Sequence, residues 1–198
     1  MSQPKPRPTP RPKSRPAPRI PALSPDLAPA AARPLLDQVR QETGRLSNLI
    51  RVLAHSPTAL AAYRALDGAL RQGKLDARMR QRIALAVAEL ERCDYGLSAH
   101  IYSARTQAGL DDAEITANRN GASNDPTADA ALRFATALAR THGAVADADL
   151  AAFKAAGYDD AQALEIAALV ALHMLAGTVN KLAQTAIDFP AVTARVAA

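Results

Sequence analysis

The sequence predicts an all-α fold: a single-domain helical bundle behind a disordered N-terminal extension. Three observations lead there. Apolar residues are 48% of the chain but aromatics only 4%, too few for the β-branched and aromatic strands of a sandwich or barrel. Gly, Pro and acidic residues punctuate the chain after Pro34 at helical intervals. The length, 198 residues, suits one domain.

Charge divides the chain in two. The formal net charge is +5 and the pI is near 9.7. Lys5, Arg7, Arg11, Lys13, Arg15 and Arg19 all precede the first acid, Asp26; the remainder carries 18 cations against 19 acids. Eleven of the 14 prolines lie at or before Pro34. Proline removes backbone donors and forces its predecessor to extend, so residues 1–33 are expected to be a disordered Pro/Arg-rich tail. Residues 34–198 are expected to form the helical domain. The tail lacks the apolar core of an export signal. The body lacks the interleaved basic and aromatic residues of a nucleic-acid surface. Neither nucleic acid nor a membrane is expected as a partner; the dense apolar run Ile166 to Gly177 is short for a bilayer span and contains His173.

The elements follow in order. Pro34 to Thr43 and Leu46 to Ala54 predict two short helices broken at Gly44. Ser56 caps a helix with Pro57 at its first position, its inner face Leu60, Tyr63, Leu66 and Leu70. Asp76 opens a helix to about Glu91 with Met79, Ile83, Val87 and Leu90 inward. A segment from Cys93 stops at Gly109; Asp111 and Glu114 have capping-box spacing for a short helix. Asp125-Pro126 starts a helix to Gly143, Asp147 caps another to Gly157, and Asp159 begins a last helix to about Ile187. That helix is apolar nearly all round, which predicts burial in a larger core or between subunits, and hence a homo-oligomer.

One stretch carries chemistry: Glu89-Leu-Glu-Arg-Cys93-Asp-Tyr-Gly96-Leu-Ser-Ala-His100. Cys93 stands at a helix start, where free amides and the helix dipole favour a thiolate. His100, two turns on, shares its face and can exchange a proton with it. Glu89 can approach the same pocket. Each residue also has a structural reading: Cys93 as a small buried apolar group, His100 as a hydrogen-bonder, Glu89 as a solvated or capping carboxylate. His173, polar within the most apolar helix, and Asn180, two turns further on one face, are pocket candidates. His55 is expected at the surface and His142 at a helix end. The four histidines and one cysteine lack metal-ligand spacing, so no metal and no cofactor are expected. The single unpaired Cys and the missing export signal suggest a reducing cytoplasm.

The run Leu85-Ala-Val-Ala-Glu-Leu-Glu-Arg-Cys93-Asp-Tyr-Gly96-Leu-Ser-Ala-His100 resembles the core of the alkylhydroperoxidase D-like, or carboxymuconolactone decarboxylase-like, family. Its motif there is Cys-X-Tyr-Cys-X-X-X-His. Gln107-Ala-Gly-Leu-Asp-Asp-Ala-Glu-Ile, Ala117 to Pro126, Ala130 to Ala135 and Ala183 to Pro190 extend the likeness, so it spans roughly residues 34–190. The resemblance implies an alkylhydroperoxidase D-type bundle, a trimer or hexamer, and peroxidase or decarboxylase chemistry. It implies site roles for Cys93 and His100, with Gln81, Tyr95 and Gly96 around them.

Two departures qualify it. Gly96 stands where peroxidase members carry the second cysteine, so an internal dithiol cycle is impossible in a chain with one Cys. Gln81 stands twelve residues before Cys93, where members commonly carry a proton-relay Glu; an amide exchanges no proton near neutral pH. Three readings remain open. Cys93 reduces a small peroxide and is restored by an external thiol reductant. Alternatively, His100 and Glu89 do acid–base work on an organic acid or lactone. Alternatively, the protein is a non-catalytic scaffold or ligand-binding oligomer.

Overall fold

A computed structural model describes residues 17–195. Among them are nine α-helices and no strand: α1 Arg33–Thr43, α2 Asn48–Leu53, α3 Pro57–Arg71, α4 Ala77–Leu90, α5 Asp94–Thr106, α6 Asp112–Arg119, α7 Pro126–Thr141, α8 Asp147–Ala155 and α9 Asp160–Ala183. The expected all-helical class and most helix starts hold because the local signals are realised. Ser56 accepts the Ala59 N–H, Asp76 that of Met79, Asp111 that of Glu114, and Asp159 that of Gln162 in a full capping box.

Helix α4 is the hub, packed on α5, α6, α7 and α9. Its Met79, Ile83 and Val87 face a core built with α7, α8 and α9. Its opposite face, Leu85 and Ala88, packs on α5 and α6. A single inner stripe was the expectation. Instead both faces are buried, because Ala84, Ala86 and Ala88 let neighbours approach closely. A third cluster joins α1, α2 and α3 to Cys93, Tyr95 and Ala176.

Four expectations need correction. The boundary at residue 33 moves toward the N-terminus. Arg19 and Ile20 donate backbone N–H groups to Ala183 O, Leu23 N–H bonds Arg51 O, and Ala28 and Ala32 are buried. The rest of the expected tail, residues 1–16, lies outside the described residues. The last helix ends at Ala183, short of Ile187, because Gln184 turns left-handed (φ 50°) and its N–H closes on Asn180 O. Asp147 is the first residue of α8 and makes no cap bond there; Ala146 precedes it. The Asp111–Glu114 box is half formed, since the Glu114 side chain is taken by Arg82. Helix α9, at 24 residues and mean hydropathy 1.5, is by length and composition long enough to cross a bilayer. Its Ile166, Leu169, Val170 and Leu172 are buried among the other helices, as in a core helix.

Candidate functional site

The turn between α4 and α5 sets the site. Arg92 takes a left-handed backbone (φ 51°) and Cys93 N–H returns to Ala88 O at 3.0 Å. Cys93 thereby becomes the N-cap of α5, its Sγ accepting the Gly96 N–H at 3.3 Å. That is the helix-start position expected from sequence, but the expected thiolate does not follow. The sulfur is buried among apolar neighbours, and burial raises the thiol pKa; the Gly96 amide and the distant Lys181 charge offset this only in part.

His100 lies two turns along α5. Its Nδ1 is 3.2 Å from Gln81 Oε1 on α4. An amide oxygen only accepts, so this contact assigns the proton to Nδ1 and leaves a lone pair on Nε2. His173 of α9 meets the His100 ring edge-on, centroids 4.7 Å apart and planes at 88°. Burial lowers the pKa of His100 to about 4, a nearby Asp67 opposing weakly. Burial, then the His100 charge, holds His173 well below its ordinary value. The pair is therefore neutral at pH 7.

These imidazoles border a cavity of about 510 Å³, whose wall also includes Gln81, Tyr95, Gly96 and Asn180. That volume suits a small organic molecule. The Tyr95 hydroxyl donates to Asp188 Oδ1 at 2.9 Å and accepts the Leu49 N–H at 3.0 Å, so the C-terminal segment is tied to the wall. Arg45 lies 4.4 Å above the Phe189 ring at the rim and pairs with Asp188. Arg64 pairs with Glu42 and Asp67, and Arg71 with Asp67.

The predicted residues thus separate. His100, Gln81, Tyr95, Gly96, His173 and Asn180 share one cavity. Cys93 sits behind that wall, screened by Gly96. Glu89 is not part of it. Its carboxylate receives Arg119 Nε at 2.6 Å and the Arg195 N–H at 2.6 Å, so it anchors α6 and the C-terminal strap instead. An acid at the end of α4 was misassigned because its partners lie far away in sequence. Sequence reading also missed Tyr63 as a cavity residue and the Arg64–Asp67–Arg71 rim. The i, i+3 and i, i+4 charge spacing was the available signal for the rim. His55 is exposed, its Nε2 2.9 Å from Pro21 O, and His142 ends α7 in a left-handed turn through its backbone. Among the described residues no three His, Cys, Asp or Glu side chains gather as a metal site.

Comparison with known proteins fits this geometry. The model of the carboxymuconolactone decarboxylase family matches residues 57–141, from the first residue of α3 to the last of α7. That segment is similar to the carboxymuconolactone decarboxylase family. Solved structures share the fold over most of the chain. An alkylhydroperoxidase AhpD core, an uncharacterized peroxidase-related protein from Ralstonia eutropha JMP134, superposes with a TM-score of 0.78 at 24% identity, covering 88% of this chain and 94% of that one. A peroxidase-related protein from Silicibacter sp. TM1040 gives 0.74 at 21% identity, with coverage of 88% and 94%. The debrominase Bmp8 gives 0.70 at 21% identity, with coverage of 85% and 91%. No curated protein matches the sequence. At these identities the structures establish a shared fold, and a shared fold does not fix a reaction.

Proposed function

We propose that the protein is an enzyme of the carboxymuconolactone decarboxylase-like type that moves a proton on a small organic molecule held in the cavity, with His100 as the catalytic base and acid. The observation that carries this reading is the neutral imidazole pair on the cavity wall, with Gln81 on Nδ1 of His100. His100 Nε2 takes a proton from a carbon made acidic by a neighbouring carbonyl. Gln81 cannot accept the proton that Nδ1 already holds. The captured proton therefore returns from Nε2 to the substrate, at another carbon in an isomerisation or at the carbanion left by loss of CO₂. A base with a pKa near 4 removes only activated protons, so lactones, keto acids and related carbonyl compounds are the substrate class.

The test is exchange in D₂O, followed by NMR over a panel of small lactones and keto acids. Turnover or C–H to C–D exchange is expected in the wild type and in Cys93→Ser, and a fall of at least about a hundredfold in His100→Asn. Equal rates in the wild type and His100→Asn would overturn the reading.

A second reading rests on a different observation, the Cys93 sulfur 3.3 Å from the first-turn amide N of Gly96, a residue of the cavity wall. As a one-cysteine peroxide reductase, the thiolate attacks the O–O bond, giving a sulfenic acid and releasing water or an alcohol. Two external thiols then reduce it, leaving a disulfide and water. The elevated thiol pKa predicts slow consumption of peroxide with dithiothreitol. A fast rate in the wild type that disappears in Cys93→Ala would make this the better account.

A further inference from the structure

Tyr63 brings a free hydroxyl to the cavity. It stands midway along α3, half-buried, and borders the cavity together with His100 and His173. It packs against both the core that holds Leu169 and Leu172 and the cluster that holds Ala176, the α9 residues that flank His173. Asp67, one turn further along α3, acts electrostatically on both Tyr63 and His100. The Tyr63 hydroxyl has no hydrogen-bond partner among the described residues, yet it keeps accessible surface, whereas the unpartnered amide atoms of Asn180 are sealed in the packing. The other inner phenol, Tyr95, is committed to Asp188 and the Leu49 N–H. A half-buried hydroxyl without a partner on a cavity wall is a donor for a group from outside the chain.

We propose that Tyr63 is the oxyanion donor of the cavity: its phenol hydrogen-bonds the carbonyl oxygen of the substrate while His100 works on the neighbouring carbon, and it holds the charge that gathers on that oxygen. This deepens the proton-transfer reading above and rests on it. Proton removal at carbon creates a charge that His100 does not meet. When His100 Nε2 takes the proton, the C–H electron pair forms a C=C bond and the carbonyl π pair moves onto oxygen, giving an enolate. Loss of CO₂ from a β-keto acid breaks a C–C bond and leaves the same enolate. With so weak a base the reaction depends on stabilising that oxygen. A donor fixed in place before the charge forms does so without reorganisation. Burial pushes the phenol pKa up and Asp67 adds to the rise, so Tyr63 gives a hydrogen bond and keeps its proton. The substrates that fit carry the carbonyl next to the labile C–H, or one carbon from the carboxylate that leaves.

Tyr63→Phe removes one oxygen and keeps the ring. Because that oxygen bonds nothing in the protein, the melting temperature is expected to stay within about 2 °C of the wild type. In the D₂O assay kcat is expected to fall about a hundredfold while KM changes less than about threefold, the mark of a bond made in the transition state. Binding without turnover is read with 4-nitrophenolate, whose charged oxygen stands for that of the enolate, and with 4-nitroanisole, the same frame with the oxygen capped. 4-Nitrophenolate is expected to bind Tyr63→Phe about tenfold more weakly than the wild type, and 4-nitroanisole equally. Equal binding of 4-nitrophenolate by the two proteins, or no binding of it by the wild type, would overturn the proposal. So would a melting temperature lower by more than about 5 °C, which would place the hydroxyl in the protein's own packing. So would exchange lost in His173→Asn and kept in Tyr63→Phe, which would give the oxygen to that ring. Weaker 4-nitrophenolate binding by Tyr63→Phe, with no exchange on any carbonyl substrate, would sink the proton-transfer reading alone. Exchange at the wild-type rate in Tyr63→Phe would sink only the role of Tyr63.

Discussion

Gln81 and Gly96 stand against the two candidate reactive groups, His100 and Cys93, and each can be changed by one atom group. A carboxylate at position 81 would stand against Nδ1 of His100, where Gln81 Oε1 now lies 3.2 Å away. An adjacent negative charge favours the imidazolium, so Gln81→Glu is expected to raise the His100 pKa from about 4 by at least about one unit. The midpoint is read from the imidazole NMR titration, and no upward movement would show that residue 81 does not control the ring. At position 96 an added side chain would stand hard against Cys93. A Cβ there would lie 3.7 Å from the Cys93 Cβ and 3.3 Å from its Sγ. A Cβ–Cβ separation of about 3.5–4.5 Å is that of a disulfide. Gly96→Cys is therefore expected to close a 93–96 disulfide under mild oxidation, with both thiols lost to a thiol-specific reagent. Two thiols still titratable after oxidation would show that the turn cannot close. Neither test was legible as geometry in the sequence, which gave the spacing of positions 81, 93, 96 and 100 but not which side of the cavity wall the sulfur occupies.

At the scale of elements, the join between α4 and α6 is electrostatic. Arg82 and Glu114 are both buried, with Nε 2.8 Å from Oε1. Burial opposes ionisation of Glu114. The Ser123 hydroxyl, the Asn118 amide, the Asn124 N–H and Arg82 outweigh it and bring its pKa to about 2. Glu114→Ala would leave the buried Arg82 only Asp125, at 3.9 Å, and would strip the acceptor from the Ser123 hydroxyl and the Asn124 N–H; it is expected to cost about 3 kcal/mol in a denaturant melt. A loss under about 1 kcal/mol would mean that α6 is held by Ile115 and its apolar contacts alone. This pair also shows what pattern reading can and cannot reach. Caps at Ser56, Asp76 and Asp159 were legible because a cap is a contact of two to four residues along one chain, and the inner faces of α3 and α4 because helical periodicity is local. The partner of Glu114 is 32 residues away on another helix, and Glu89 reaches a strap 106 residues away. Such pairings are set by helix packing, so an acid three residues after Asp111 was read as a capping partner and Glu89 as a cavity residue.

For the whole molecule, the neutral imidazole pair makes stability depend on pH. Both folded pKa values lie below the unfolded value of about 6.5. The unfolded chain therefore binds more protons between pH 6.5 and about 4, so the contribution is fully present above 6.5 and is lost as pH falls toward 4. The melting temperature is expected to drop across that window, each imidazole adding at most about one proton to the slope. His100→Asn should flatten it; a profile of the same slope in that variant would place the lost protons elsewhere.

The outer face of α9 sets the last expectation. Leu164, Ala168, Ala171, Leu175, Thr178 and Leu182 recur at alternating intervals of four and three, and the three leucines are 72%, 43% and 60% exposed. That interval is the seam of helix-on-helix packing, and nothing in the described chain covers it. A second copy supplies an identical seam, and an antiparallel pairing centred on residue 173 sets Leu164 opposite Leu182 and Ala171 opposite Leu175. A charge placed mid-seam is exposed in a monomer and buried in such a pair, so its cost appears only on association. Pairing of two copies through this seam predicts that Leu175→Glu runs as a smaller species than the wild type in light scattering after gel filtration, with the helical circular dichroism unchanged. An identical mass for the variant and the wild type would show that this face meets solvent, and that the helix is apolar for its inward contacts alone.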